Sequence, residues 1–306
     1  MEHRIRHLST YSYDPAALRI ALRLKLFPVD HEGQQVESWK VTVNDEEVSP
    51  LVFSDLGDRE ALWSSHEAID RLDIVAEGKI VTRDTAGVVR GLPGNAPPGI
   101  FRRVTDLTEA DKAIRALIAD ARQDDRLAML HGLMGQINER VTYLTGSTSA
   151  STSAADALKS GKGVCQDHAH LFIAACRAAD IPARYITGYL KPDADSDIEA
   201  PAAALQAQGQ SQSQSQSQGS DKSDGQSQSQ SQESGPLLET HAWGEAWIDG
   251  IGWIGFDPSN NVCPTENYVR LCSGLDAVGA APIRGNVLGE TKESLEVSVA
   301  IGQSQQ

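Results

Sequence analysis

Cysteine is scarce in this chain, basic charge is outnumbered by acidic, and no apolar run approaches the roughly 18 to 20 residues that a membrane helix needs. Each shortage removes a class of protein. The four cysteines, Cys165, Cys176, Cys263 and Cys272, are too few and too irregularly spaced to frame a disulfide scaffold in 306 residues. Lys and Arg number 27 against 42 Asp and Glu, a formal net charge of -15, and no basic run stands out. A nucleic-acid partner is therefore not expected. The first residues, Met1-Glu2-His3-Arg4-Ile5-Arg6-His7, lead into mixed polar and apolar sequence rather than an apolar signal core. The expectation is a soluble, cytoplasmic protein with no membrane contact. No metal or cofactor is expected either. His168 and His170 sit near Cys165, but no further cluster is spaced to complete a metal site, and one ring is expected to pack while the other is exposed.

What is present suffices for a folded core: hydrophobic residues make up 40% of the chain. The length fits two domains. The first third reads as β. Leu18, Ile20, Leu22, Leu24 and Leu26 alternate with Arg19, Ala21, Arg23 and Lys25. Trp39, Val41 and Val43 alternate again. Leu72, Ile74 and Ala76, then Ile80-Val81, suggest two more strands. The breaker cluster from Gly91 to Pro98 marks a domain boundary, giving a β-rich unit over 1–98 and a second unit over 99–301.

Helical spacing opens the second unit. Thr108 with Asp111 three residues on has the form of a capping box ahead of Ile114, Leu117, Ile118 and Ala121. A second helix carries Leu130, Leu133, Met134, Ile137 and Val141. Ser153 with Asp156 starts a third, ending at Gly161. A fourth runs from about Cys165 to Ala179, with Phe172, Ile173 and Cys176 as its buried side. Residues 201–235 are rich in Ser and Gln, have little to bury and are expected to be disordered. After them β character returns, through two Trp-bearing strands and a last strand over Leu295, Val297, Val299 and Ile301. The class is α+β.

Three residues in chain order carry chemistry. Cys165 follows Gly161-Lys162-Gly163-Val164 and opens an apolar helix; His241 opens a strand; Asp257 precedes Pro258 at a strand end. A thiol attacks as thiolate, and a helix N-terminus and a nearby imidazolium both favour that form. Cys165, His241 and Asp257 have the types needed for a nucleophile, its base and the carboxylate that orients the base. For the carboxylate to reach the imidazole, both must share one face of a hairpin. Opposed positions must then add to an even number. The loop Ile248-Asp249-Gly250, with Gly250 left-handed, pairs Trp247 with Ile251 and sets Asp257 directly opposite His241.

Gly163-Val164-Cys165-Gln166-Asp167-His168-Ala169-His170, His241-Ala242-Trp243-Gly244-Glu245-Ala246-Trp247 and Gly252-Trp253-Ile254-Gly255-Phe256-Asp257-Pro258 resemble the motifs of the transglutaminase-like superfamily, specifically its bacterial cysteine peptidase group. The resemblance implies a papain-like core, with the cysteine helix packed on an antiparallel sheet and a β-rich N-terminal domain ahead of it. It also implies Cys165 as nucleophile, His241 as general base and acid, and Asp257 as the orienting group. The calcium used by the animal enzymes is not expected, since no calcium loop is present. The expected activity is acyl transfer from a peptide or protein amide through a thioester on Cys165, hydrolysis being favoured over transamidation. The alternative is a non-catalytic binding or assembly module that retains the fold. The sequence leaves the oligomeric state open.

Replacing Gln206–Ser234 by a short Gly/Ser linker is expected to leave the melting temperature nearly unchanged, because loop entropy shifts by only about 0.6 kcal/mol per doubling of length. A calorimetric scan showing a large loss would mean that the tract packs.

Overall fold

The computed structural model describes residues 1–54, 56–94, 96–191, 237–238 and 240–302. Among these it has seventeen strands and four α-helices. The chain begins with β1 (Glu2–Ala17), β2 (Arg19–Phe27), β3 (Gln34–Val43), β4 (Glu46–Glu47), β5 (Val52–Phe53), β6 (Arg59–Ser65), β7 (Ile69–Thr82) and β8 (Val88–Val89). The helical stretch holds α1 (Lys112–Asp120), α2 (Arg126–Arg140), β9 (Thr142–Tyr143), α3 (Ala154–Ser160), β10 (Lys162–Gly163) and α4 (Cys165–Ala178). Then come β11 (Ala183–Leu190), β12 (Leu237–Leu238), β13 (Thr240–Ile248), β14 (Gly252–Phe256), β15 (Tyr268–Gly274), β16 (Ile283–Leu288) and β17 (Lys292–Gly302). The expected Ser/Gln insertion lies outside the described residues.

Two sheets enclose the first core: a six-stranded one in the order β12-β17-β1-β7-β3-β4 and a four-stranded one in the order β16-β2-β6-β5. The third large sheet, β15-β11-β13-β14-β8, carries the helices. Hydrogen bonding crosses the 98/99 boundary in both directions. Val88 and Val89 pair with Ile254 and Trp253, while β16 and β17 return to pair with β2 and β1. Tyr189, Val269 and Leu271 from the third sheet bury into the first core.

Most sequence expectations for elements hold in kind, with differences that have physical causes. β1 escapes apolar pattern reading because His3, His7 and Ser9 share its buried face with Ile5. The two strands expected around Leu72 and Ile80 are one, β7, whose period of two runs unbroken through Gly78. The cap of α1 is Asp111 itself, accepting from Ile114 N–H at 2.8 Å, rather than a Thr108–Asp111 box. Ser153 caps α3 as expected, and Gly161 ends it with φ 66°. α4 is buried on every side from Asp167 to Arg177, not along one stripe, so it is a central helix. Gly244 lets it approach the sheet: a Cβ there would sit 2.7 Å from Phe172 Cδ1. At its far end the Arg177 guanidinium donates to Phe101 O, Thr108 Oγ1, Ala183 O and Leu275 O, at 2.7 to 2.9 Å.

A chain of buried charges ties the sheets together. Glu245 on β13 accepts from Arg184 Nε on β11 at 2.6 Å and from Arg270 Nε on β15 at 3.1 Å. Arg184 also lies over the Trp253 ring at 4.0 Å. Asp58 accepts from Ser273 N–H at 3.0 Å and from Lys25 Nζ at 3.0 Å, and Lys25 donates on to Ser273 O and Gly279 O. Burial works to raise the Glu245 pKa, but the two guanidiniums outweigh it and hold the carboxyl below its ordinary value. Removing one member of such a group leaves an uncompensated buried charge. Glu245→Gln is accordingly expected to lose about 3 to 5 kcal/mol of unfolding free energy in urea titration. A change below roughly 1 kcal/mol, the size of a surface pair, would show that the network contributes little.

Candidate active site

The N-terminus of α4 is built by its flanking residues. Asp167, in the first turn, accepts from Val164 N–H at 2.8 Å and from Thr148 Oγ1 at 2.6 Å. Burial pushes its carboxyl upward from the ordinary value. Gly163 gives it room, since a Cβ there would sit 2.7 Å from the Asp167 Cβ. The first internal helix bonds run from Asp167 and His168 N–H to Val164 O. The Cys165 amide therefore lies ahead of them, among the groups a helix leaves unpaired at its start. The four cysteines are all free thiols. Burial pushes the Cys176 thiol up strongly, Cys272 up to about 12 and Cys263 up to about 11.

Both flanking histidines are buried, in contrast to the expected division between a packed and an exposed ring. His168 bridges Val164 O and Val141 O, each at 2.9 Å, tying α4 to the end of α2. His170 accepts from Ala277 N–H at 3.1 Å, and burial pushes its pKa down to about 4, so its ring is neutral near pH 7. His168 is engaged through both ring nitrogens and His170 through Nε2. Among the described residues no group of three His, Cys, Asp or Glu side chains is placed to hold a metal.

His241 and Asp257 meet at 2.7 Å, Nε2 to Oδ2. The hairpin that brings them together keeps the expected even parity but is displaced by one pair. Ile248 pairs with Gly252 and Trp247 with Trp253, so the loop is Asp249-Gly250-Ile251. Gly250 has φ 85° within it, and Gly252 just beyond has φ 111°. Trp247 and Trp253 lie edge to face across this pair, 5.5 Å between centroids. The ladder ends at Gly244 with Phe256, which leaves Asp257 diagonal to His241 rather than directly opposite. Diagonal neighbours remain within reach of a ring as long as imidazole.

Asp257 is held from several sides. Its Oδ1 accepts from Ser259 N–H at 3.0 Å and Ser259 Oγ at 2.6 Å, and its Oδ2 from Asn260 Nδ2 at 2.7 Å and Tyr268 OH at 2.8 Å. Asn138 on α2 pins the same turn by donating to Pro258 O and Ser259 O. Sequence reading missed these supports. Ser and Asn two and three residues after an Asp are the signature of an Asx turn, so Ser259 and Asn260 were open to reading. Tyr268 comes from another strand and leaves no local signal.

The imidazole is enclosed by Trp243, nearly parallel at 6.2 Å, and by Tyr268 at 5.9 Å. Its Nδ1 is buried with no partner at good hydrogen-bond geometry, and Cys165 is the other side chain close enough to raise its pKa. Burial lowers that pKa, but the charge and hydrogen bond of Asp257, with the Cys165 thiol, outweigh it and hold His241 at about 10. For Asp257 burial works upward; the His241 charge and hydrogen bond, with Ser259 and Tyr268, win and keep it well below the usual carboxylate range. The structure thus brings Cys165, His241 and Asp257 together at the start of α4, across the 192–236 segment.

The family model described as the transglutaminase-like superfamily matches residues 115–258, and that described as the bacterial transglutaminase-like N-terminal region matches residues 3–81. An uncharacterized protein of Mycobacterium leprae (strain TN) is 32% identical over 164 residues, 53% of this chain and 45% of that protein. An uncharacterized protein of Mycobacterium tuberculosis (strain ATCC 25618 / H37Rv) is 28% identical over 218 residues, 69% of this chain and 59% of that protein. The chain spans about half the length of these curated relatives. The crystal structure of a candidate cysteine protease from Cytophaga hutchinsonii matches 100% of this chain and 92% of its own, with a TM-score of 0.68 at 21% identity, a likeness of fold.

The His241–Asp257 pair gives stability a defined pH dependence. A raised imidazole pKa stabilises fully below its ordinary value of 6.5 and loses that contribution as pH climbs through about 10. A lowered carboxyl pKa stabilises fully above its ordinary 3.8 and loses it as pH falls below that. The stability advantage of the wild type over Asp257→Asn is expected to be flat from about pH 4 to 6.5 and to shrink steadily towards pH 10, read from urea midpoints. An advantage that grows above pH 7 would contradict the ion pair.

Proposed function

Matched by family models at both its N-terminal and its central regions, the chain belongs to the transglutaminase-like superfamily, and from that premise we propose that it is a cysteine-dependent acyl-transfer enzyme acting on a peptide or protein amide. The observation that carries this reading is the divided imidazole: Nε2 is locked onto Asp257, Nδ1 is buried without a partner, and the Cys165 thiol is close enough to raise the ring's pKa. Such a ring stays protonated near neutral pH, and the thiolate is the form in which a thiol attacks.

The steps follow from these positions. The Cys165 thiolate attacks the amide carbonyl carbon, and the carbonyl electrons move to oxygen. The Cys165 backbone N–H, free at the helix start, donates to that oxyanion. His241 delivers its Nδ1 proton to the departing nitrogen as the C–N bond breaks, leaving a thioester. Neutral His241 then takes a proton from the acceptor, which attacks the thioester. The C–S bond breaks and the imidazolium–thiolate pair is restored. Asp257 holds the ring orientation and stabilises its charge throughout. We favour water as the acceptor, since the cavity of about 1160 Å³ lined in part by Gln166 and Thr240, the chain neighbours of Cys165 and His241, has room for solvent.

Iodoacetamide labelling from pH 5 to 9, with the modified cysteine mapped by mass, tests the reading. Cys165 is expected to react fastest below pH 7, with Cys165→Ala losing that label and the other three thiols slow. Four equally slow thiols would favour a binding module that keeps the fold. The acceptor is read separately, from isotope incorporation out of labelled water against capture by an added primary amine.

A further inference from the structure

The large cavity that flanks the site is not enclosed by the catalytic core. Near the site its wall includes Gln166, which follows Cys165, Thr240, which precedes His241, and Ala277, whose amide donates to His170. Beyond that, the wall is supplied by β1, β16 and β17. Among the described residues β16 is the outer strand of its sheet, and β12 pairs with β17 at Val299 and Ala300. Its lining joins alternate residues of β1 and β17, His7, Ser9, Tyr11 and Tyr13 with Glu293, Leu295 and Val297, to β16, an edge strand along which an extended peptide gains backbone hydrogen bonds.

At the far end Tyr11 and Tyr13 project to the same side of β1, their rings 6.4 Å apart and nearly parallel, next to Glu293 on β17. Carboxylates outnumber cations along the whole wall: Asp14, Glu290 and Glu293 against Arg284 and Lys292. Among the described residues no Lys, Arg or His forms a salt bridge with Glu293. Burial pushes its carboxyl up, while a hydrogen bond with Tyr13 works the other way. A half-buried carboxylate beside two stacked phenol rings is a setting that binds an organic cation, by charge and by the ring faces together.

We propose that this cleft holds the acyl-donor peptide in extended form, and that Tyr11, Tyr13 and Glu293 form a distal subsite for a basic side chain of that peptide. The proposal rests on the acyl-transfer reading of Cys165. It gives the N-terminal sheets a part in substrate choice: they supply the far wall, and the helical core supplies the thiol. An acyl donor short of that end loses the cation contact and keeps the reacting groups.

The test uses peptidyl acyloxymethyl ketones carrying Lys, norleucine or Glu at each successive position away from the electrophile. The rate of Cys165 labelling by each is divided by the same protein's iodoacetamide rate, which needs no cleft. One position is expected to favour Lys over norleucine by about tenfold. Glu293→Gln should bring that ratio close to one, and Glu293→Lys should turn the preference towards Glu, both variants being checked for an unchanged circular dichroism spectrum. No position favouring Lys, or a Lys preference that survives both folded variants, overturns the subsite. If neither the ketones nor iodoacetamide single out Cys165, the acyl-transfer reading falls, and the subsite falls with it.

Discussion

Glu245 is the point on which the rest of the molecule turns. A fully buried carboxylate on β13 is tolerable only with cations on both sides, and it has them: Arg184 from β11 and Arg270 from β15. Three adjacent strands are thereby fixed in one register, because a slip of one residue would turn a buried charge into the opposite face. His241 stands four residues from Glu245 on the same side of β13. The register that satisfies the carboxylate is therefore also the one that aims the imidazole.

The site repeats this logic on a smaller scale. Asp257 is fully buried yet accepts from a ring nitrogen, two hydroxyls, a side-chain amide and a backbone N–H. Satisfied this way it stays charged, and a charged Asp257 keeps His241 protonated although burial alone would strip the proton. Each support comes from a different part of the chain: Asn138 from a helix, Ser259 and Asn260 from the turn, Tyr268 from the next strand. Rigidity at the imidazole is a property of the whole core, not of the hairpin that carries it.

The N-terminal sheets are more than a neighbour of the core. The last two strands return to close them, Lys25 reaches from β2 to carbonyls at 273 and 279, and Tyr189 of the third sheet meets His7 of β1 at 3.0 Å. These are buried polar contacts, which hold a geometry more strictly than apolar ones because misplacing them leaves groups unpaired. The cavity that reaches Gln166 and Thr240 inherits a fixed far wall from them.

Some of this was written in local sequence. Alternating apolar residues marked β2 and β17, Ser153 and Gly161 bounded α3, and glycine before a cysteine before an apolar run marked the start of α4. These signals are read from neighbours in the chain, where backbone preference and side-chain period act directly. The types and order of Cys165, His241 and Asp257, and even the parity of their hairpin, were legible in the same way. Tertiary structure alone decided the rest. The hairpin settled one pair away from the loop expected of Asp249-Gly250, with Trp247 and Trp253 meeting across it. β1 hid its buried face behind histidines and a serine that find partners only in the folded protein. Tyr268 reached Asp257, and Glu245 drew in two arginines, across separations that no local pattern encodes. The sequence determined which residues could do chemistry and which segments would be helix or strand; only the tertiary structure decided what each buried polar group meets, because the cost of burying it is set by its partners and not by its neighbours in the chain.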